Sequence, residues 1–323
     1  SVAVESLYDA GKALCKAPLP KWVFEGPVAE AHGGKGGVHS AQGSFNPTTG
    51  QFEARRTLPV YSRQLFPELL LGEAGPDYRT AGTTLMEDAA IRLWTLDNEV
   101  VIASIKTKMH AISPDVAEGL SQAVDLAEAS YQGVVIWSGD EMFSAGADLQ
   151  AMLPAFMMGG AKAIEGAEAE LQNVMLKLRY ASVPTVSAVR GLALGGGCEM
   201  AVYSAKRVAA MESYIGLVEV GVGLVPGAGG LAYIARRAAE AASSSTNKDI
   251  VPFLTEGFTA AAMAKVGTSA IESRKLGYLL DTDVIVPNKD ELLFVAINEA
   301  KALYQSGYRA PHKRTFAVAG RNG

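Results

Sequence analysis

Apolar residues first fall into a regular rhythm near residue 90. Val100-Val101-Ile102-Ala103-Ser104-Ile105 is a continuous apolar run of strand length. Ser113-Pro114-Asp115 then supplies an N-cap, a proline at the first helical position and an acid in the first turn. Behind it, Val116, Leu120, Val124 and Ala127 recur at helical spacing. Gly133-Val134-Val135-Ile136-Trp137 reads as a second buried strand and Pro184-Thr185-Val186-Ser187-Ala188-Val189 as a third. Between those two, Ile164, Ala167, Leu171, Val174 and Leu178 mark one face of a helix. Alternation of this kind predicts βαβ units with parallel strands, hence an α/β domain. Residues 229–306 predict mainly helix, interrupted by the polar Ser243-Ser244-Ser245-Thr246-Asn247 and by one short strand, Val284-Ile285-Val286.

The first third of the chain is patterned differently. Leu7, Ala10, Ala13 and Leu14 predict a helix over 5–17, stopped by Pro18 and Pro20. From 26 to 50 the composition turns to Gly, Ser, Asn, Thr and Pro, which predicts a linker or long loop. Gly33-Gly34-Lys35-Gly36-Gly37 lies inside it, but a phosphate loop needs a preceding strand and a closing Gly-Lys-Ser/Thr, and both are missing.

At 49% hydrophobic and 20% charged, the 323 residues suit a globular protein with a sizeable core. A net charge of −5 argues against a nucleic-acid partner, whose phosphates call for a basic excess. Cys15 and Cys198 can build neither a disulfide framework nor a four-cysteine metal site. The histidines, His32, His39, His110 and His312, lie too far apart for metal-ligand spacing and read as surface or loop residues. With no run of 18 apolar residues and no basic-then-apolar leader, a cytoplasmic protein without a membrane partner is expected. The chain opens Ser1-Val2 and closes Arg321-Asn322-Gly323, which suggests a piece of a longer polypeptide.

Candidate chemistry collects in three glycine-rich turns. They are Phe143-Ser144-Ala145-Gly146-Ala147-Asp148, Gly195-Gly196-Gly197-Cys198-Glu199, and Glu219 with Pro226-Gly227-Ala228-Gly229-Gly230 behind it. Met200 and Pro226 stand where a dinucleotide fingerprint requires its last glycine, so a nicotinamide or flavin site is not expected. Taken singly, each turn is strand-to-helix punctuation. Taken together, they can aim unpaired helix-start amides at developing negative charge, as an oxyanion hole does, with Glu199 beside it. Cys198 has no histidine in the motif and reads as a packed residue rather than a nucleophile.

On these motifs, residues 93–323 resemble the enoyl-CoA hydratase/isomerase (crotonase) superfamily, most densely between Val134 and Gly230. Ala270-Ile271-Glu272-Ser273-Arg274-Lys275-Leu276-Gly277 is similar to a helix near that family's C-terminal part. The resemblance implies a spiral of ββα units, two stacked sheets surrounded by helices, with a helical C-terminal region that would continue past Gly323. It implies an oxyanion hole from the amides of Ala147 and Gly196. It also implies two glutamates sharing one water: Glu199 to deprotonate it and Glu219 to exchange the proton at C2. The CoA contacts it implies fall on Lys106, Lys108, Met109 and Ala111 and on Ser144, Ala145, Asp148 and Leu149. CoA would belong to the substrate, with no further cofactor or metal. Two positions depart from the pattern: His110 replaces the usual asparagine, and Gln150 a frequent lysine. Lys106 and Lys108 therefore read equally as phosphate ligands or as plain solvated lysines.

The implied activity is hydration of an enoyl-CoA; the alternatives are Δ3-Δ2 isomerisation, both activities together, or a non-catalytic scaffold of the same fold. Trimers or pairs of trimers are common in the family. Met152, Phe156, Met157 and Met158 fit either an adaptable acyl pocket or a plain core helix. Residues 1–90 lack the pattern, but Tyr61-Ser62-Arg63-Gln64-Leu65-Phe66-Pro67 resembles the middle of large bacterial fatty-acid oxidation proteins. There a 3-hydroxyacyl-CoA dehydrogenase part precedes the hydratase part, so the division expected is 1–90 and 91–323.

Overall fold

The computed structural model describes residues 20–23, 25–31, 39–40, 42–54, 58–66 and 77–315. They divide into two units, Ser1–Thr80 and Ala81–Gly323. The helix expected over 5–17 and the Gly33–Gly37 run lie outside the described residues.

The first unit corrects one expectation. Within the polar stretch read as a linker, helix α1 (Pro27–Ala31) is followed by strands β1 (His39–Ser40), β2 (Gly43–Asn46) and β3 (Gln51–Glu53), paired antiparallel in that order. The cause is local. Asn46 accepts the Gly50 amide on its carbonyl at 2.8 Å and the Thr48 amide on its side chain at 2.9 Å, closing the turn. Phe45 then packs on Trp22 and Phe52, with ring centroids 5.4 and 5.5 Å apart. Helix α2 (Pro59–Arg63) completes what is described.

The second unit is the α/β domain. Strands β4 (Thr83–Glu87), β5 (Ile91–Thr95) and β6 (Val101–Ile105) form an antiparallel meander that begins ahead of the expected residue 90. Helix α3 (Pro114–Ser130) leads to β7 (Val134–Ile136), the long helical segment α4 (Leu149–Tyr180) to β8 (Thr185–Leu194), and α5 (Gly196–Tyr203) to β9 (Lys206–Gly216). Across β6, β7, β8 and β9 the pairing is parallel, as the alternation predicts. Helices α6 (Gly230–Ser244), α7 (Val251–Ala262), α8 (Ala270–Lys275) and α9 (Leu292–Gln305) follow, with β10 (Val266–Gly267) antiparallel and β11 (Val284–Val286) parallel to β9. None of the described helices is long and apolar enough to cross a membrane.

Local chemistry accounts for these elements. Ser113 caps α3 by accepting the Val116 amide at 3.3 Å, with Pro114 behind it. Every residue of β5 and β6 is buried, as expected of strands covered on both faces. Register between β8 and β9 shifts between Val189 and Gly191, a bulge beyond which pairing resumes from Gly191–Ser213 to Leu194–Gly216. Segment α4 contains Pro154 and breaks at Gly160, where φ is 63°. The first turns of α4 are not the core helix its methionines allowed: Met157 is 77% and Met158 85% exposed.

An ion pair inside the core ties β9 to the approach to β11. Arg207 and Asp283 side chains are 3% and 1% exposed, and Asp283 accepts from the Arg207 backbone at 3.0 Å and from its Nε at 2.8 Å. Its Oδ2 also accepts the Leu280 amide at 2.6 Å. Removing one member strands a buried charge, which costs about 3–5 kcal/mol. Asp283→Ala should therefore lower the unfolding free energy of the second unit by about that amount, read from urea unfolding followed by far-UV circular dichroism.

Candidate active site

Two turns pressed together create the site. Past β7, the amides of Phe143 and Ser144 both donate to Leu192 O, at 3.0 and 2.9 Å, and Leu194 N donates to Ser144 O at 3.0 Å. The 143–144 backbone thus bonds to the distal end of β8 on the edge that β7, paired only as far as Ser187, leaves open. Ser144 is fully buried; its Oγ donates to His110 O at 2.7 Å and accepts Gly146 N at 3.1 Å. On the other side, Ala145 N donates to Met109 O, Ile112 N to Gly146 O and Asp148 N to Ile112 O, at 3.1, 2.8 and 3.1 Å. The approach leaves no room at Gly197, where a Cβ would stand 2.6 Å from Ser144 O. Ala147 N lies 3.2 Å from where a Cβ on Gly196 would be, so the two implied oxyanion amides are neighbours. Among the described residues neither amide has an acceptor, and the Gly196 amide is the first of helix α5.

Three carboxyl groups share the cavity beside these amides, a space of about 180 Å³ lined also by Leu149, Leu171, Val218, Leu224 and Val225. Glu199 projects from the first turn of α5, is 2% exposed, and accepts the Gly230 amide on Oε1 at 2.7 Å. Burial pushes its carboxyl up to about 8, with Glu219 and Glu168 adding to the rise and the Gly230 amide opposing it. Glu219 opens the 3-10 turn Glu219–Val222, and a Cβ on Gly195 (φ 53°) would lie 3.5 Å from its Oε1. Both Glu219 oxygens are buried without a hydrogen bond. Burial raises its pKa, moderated by the nearby amides of Glu219 and Val218 and reinforced by Glu168. Glu168, on α4, is raised by burial as well, and a Cβ on Gly227 would stand only 2.2 Å from its Oε1.

Sequence reasoning missed Glu168, although a signal was there. With Ile164, Ala167 and Leu171 it completes the i, i+3, i+4, i+7 set of a buried helix face, where a charge is out of place. His110 is a second correction. It is not a surface or loop side chain but 4% exposed, with Nδ1 2.9 Å from Met142 O and Nε2 3.1 Å from Asp140 Oδ2. Met109 and His110 both adopt positive φ, 57° and 50°, a strained pair held by these bonds and by Ser144. Of the implied CoA contacts, Met109, Ser144, Ala145 and Asp148 meet in this turn, and Leu149 lines the cavity. Ala111 O accepts the Thr107 hydroxyl at 2.6 Å. Lys106 Nζ is engaged by Glu87 Oε1 at 2.7 Å and Asp88 O at 2.6 Å, whereas Lys108 starts an exposed 3-10 turn. Phe156, Met157 and Met158 are exposed and outside the cavity, and the Met152 side chain lies outside the described residues. Cys198 is buried, and burial with the charges of Glu199 and Glu219 drives its thiol well above the ordinary range, against a thiolate nucleophile.

Comparison with known proteins places this geometry. A family model described as enoyl-CoA hydratase/isomerase matches residues 98–268. A Bacillus subtilis (strain 168) protein named "Probable 3-hydroxyacyl-CoA dehydrogenase" is 33% identical over 239 residues, covering 74% of this chain and 30% of that protein. A Pseudomonas syringae pv. tomato protein named "Fatty acid oxidation complex subunit alpha" is 33% identical over 157 residues, covering 47% of this chain and 22% of that one. The chain thus spans less than a third of these curated relatives. Among solved structures, an enoyl-CoA hydratase from Polaromonas sp. JS666 superposes with a TM-score of 0.55 at 24% identity, covering 67% of this chain and 77% of that one. Another, from Bacillus anthracis, gives 0.54 at 22%, covering 66% and 76%. These likenesses establish the crotonase-type α/β fold expected from the sequence.

The shared cavity sets the sign of two pH effects. An acid whose pKa rises from 4.5 unfolded to about 8 folded costs nothing below 4.5, and its cost grows as pH climbs from 4.5 to 8 and then levels off. Glu199→Gln should therefore gain stability relative to the parent between pH 5 and pH 9, read as the difference in urea midpoints. Glu168→Gln, by removing a like charge, should move the Glu199 carboxyl titration downward in 13C-detected NMR; an unmoved titration would disprove the coupling.

Proposed function

Because the chain belongs to the enoyl-CoA hydratase/isomerase family, we propose that it adds water across the 2,3 double bond of an enoyl-CoA thioester. The observation that carries this reading is the presence of two buried carboxyls, Glu199 and Glu219, in one cavity with two acceptor-free amides. Isomerisation needs one acid to carry a proton between carbons. Hydration needs two, one to take a proton from water and one to give a proton to carbon.

In the proposed reaction the water oxygen bonds to C3 as Glu199 takes its proton. The C2–C3 π electrons move toward the thioester, whose carbonyl oxygen becomes the oxyanion facing the amides of Ala147 and Gly196. Glu219 then delivers a proton to C2, so the pair ends with the same number of protons. Near neutral pH two neighbouring buried carboxyls share one proton, and the ionisation near 8 belongs to the pair. Within that pair the Gly230 amide favours charge on Glu199, as the amides of Glu219 and Val218 favour it on Glu219. The reaction as proposed requires the form that is ionised at Glu199 and protonated at Glu219.

The CoA end of the proposal rests on the 106–111 segment. Lys108 is free to meet a phosphate, and Lys106 would exchange an ion pair that is over a third exposed on both sides, a small loss. The small cavity suits a short acyl group. The relatives' names support a larger arrangement that includes a 3-hydroxyacyl-CoA dehydrogenase part and acts in fatty-acid oxidation.

Loss of crotonyl-CoA absorbance should report turnover in the 323-residue chain, with a basic limb in kcat/KM near pH 8. Glu199→Gln and Glu219→Gln should each lower kcat by about 10²–10⁴-fold. Activity on a 3-enoyl-CoA that survives Glu199→Gln would assign isomerisation instead. A folded chain inert on both would leave the non-catalytic scaffold.

A further inference from the structure

Four elements close around a second cavity of about 280 Å³ that shares no lining residue with the acid-lined one. Arg179 comes from the end of α4, Tyr203 from α5, Tyr233, Arg236, Arg237 and Glu240 from α6, and Tyr308 and Arg309 from the segment after α9. Arg207 also reaches it but is spoken for by Asp283. Four guanidinium groups remain, and Glu240 is the only acid lining the cavity. It lies 2.9 Å from Arg237 Nη1 and 3.8 Å from Arg236 Nε.

The arrangement is built rather than incidental. Arg236 is 10% exposed and sits over two rings, its Cζ 5.8 Å from the Tyr203 centroid and 5.2 Å from that of Tyr233. Those rings are themselves fixed, Tyr203 OH donating to Gly229 O at 3.0 Å and Tyr233 OH to Gly277 O at 2.5 Å. The Nε atoms of Arg179, Arg236 and Arg237 and the Tyr308 hydroxyl are all buried with no hydrogen-bond partner. Buried donors without acceptors are costly, and like charges held together compound the cost. Burial and the neighbouring Arg179 both work against the charge on Arg236.

We propose that this pocket binds a phosphate-type oxyanion, received by Arg179, Arg236 and Arg309 with the Tyr308 hydroxyl. Guanidinium forks match phosphoryl oxygens better than any other side chain, and an anion meets both deficits, missing acceptors and excess positive charge. At about 30 Å³ per water the space holds roughly nine waters, enough for a phosphate or diphosphate group with part of its hydration. This pocket stands apart from the acid-lined cavity, so the proposal does not depend on the hydratase reading.

The test is isothermal titration calorimetry of the full chain with inorganic pyrophosphate and with inorganic phosphate, at constant ionic strength held with chloride. Saturable one-site binding is expected, weakened at least tenfold by Arg179→Gln and by Arg309→Gln. Exposed Arg309 makes the second variant safe for folding, and Lys248→Gln, on an exposed loop outside the cavity lining, should leave binding unchanged. Neither anion binding above the chloride background would overturn the proposal. So would binding that Lys248→Gln weakens as much as the arginine variants do, since that reports general surface charge.

Discussion

A backbone amide can face a reacting oxygen only where no side chain covers it and no acceptor already holds it. In this protein that condition is met by the contact between the 143–147 turn and the 192–197 segment, and the rest of the site follows from it. Ser144 bonds in three directions, to His110 O, Gly146 N and Leu194 N, and so fixes both turns at once. Gly197 is required because any side chain there would meet Ser144. The early end of β7, opposite Ser187, is required because the edge of β8 beyond it receives the turn. Even the positive φ of Met109 and His110 belongs to this arrangement, since their carbonyls are what Ala145 N and Ser144 Oγ hold.

The same contact brings acids together at an electrostatic cost. Three carboxyls in one small cavity each resist ionisation because water is excluded, and Glu199 and Glu219 also feel a neighbouring carboxylate. Fold stability has to come from elsewhere, and the Arg207–Asp283 pair shows the contrast. There the charges are as deeply buried but opposite and joined by several hydrogen bonds, so they hold β9 in place rather than straining it. A structure that tolerates unpaired acids in one place and pairs them fully in another is spending stability selectively, as functional sites do.

What could be read from sequence follows this division between local and distant causes. The strands at 101–105 and 134–136 were legible because burial on both faces makes them nearly continuously apolar, whereas β8 was legible only as far as Val189, before Arg190 and Gly191. Helix α3 was legible because cap, proline and stripe agree. The hairpin at 43–53 was hidden because short polar strands carry little periodicity and depend on Phe45 meeting Trp22. Strand β9 was hidden by its mixed burial, with Glu212 and Tyr214 exposed inside it. In the site, the glycine-rich turns marked Glu199 and Glu219, whereas His110 looked like a loop residue because its partners, Asp140 and Met142, are about thirty residues away. Glu168 was visible only as a charge on an apolar helix face, a pattern that gains meaning once the helix is seen against Gly227.

Tyr203 links the two charged regions of the domain. Its ring supports Arg236 on one side, and its hydroxyl holds Gly229 O on the other. The next residue, Gly230, supplies the amide that favours charge on Glu199. Its own ionisation feels both regions, burial raising its pKa, Arg236 and Arg179 lowering it and Glu199 raising it. Helices α5 and α6 therefore present acids to one cavity and arginines to the other, with one aromatic residue fixing the backbone between them. Ordering of Arg236 between its two rings and the placement of the Glu199 donor are thus constrained by the same short run of chain. This connection runs through packing and hydrogen bonds, whose reach does not fall with ionic strength as a field between exposed charges does.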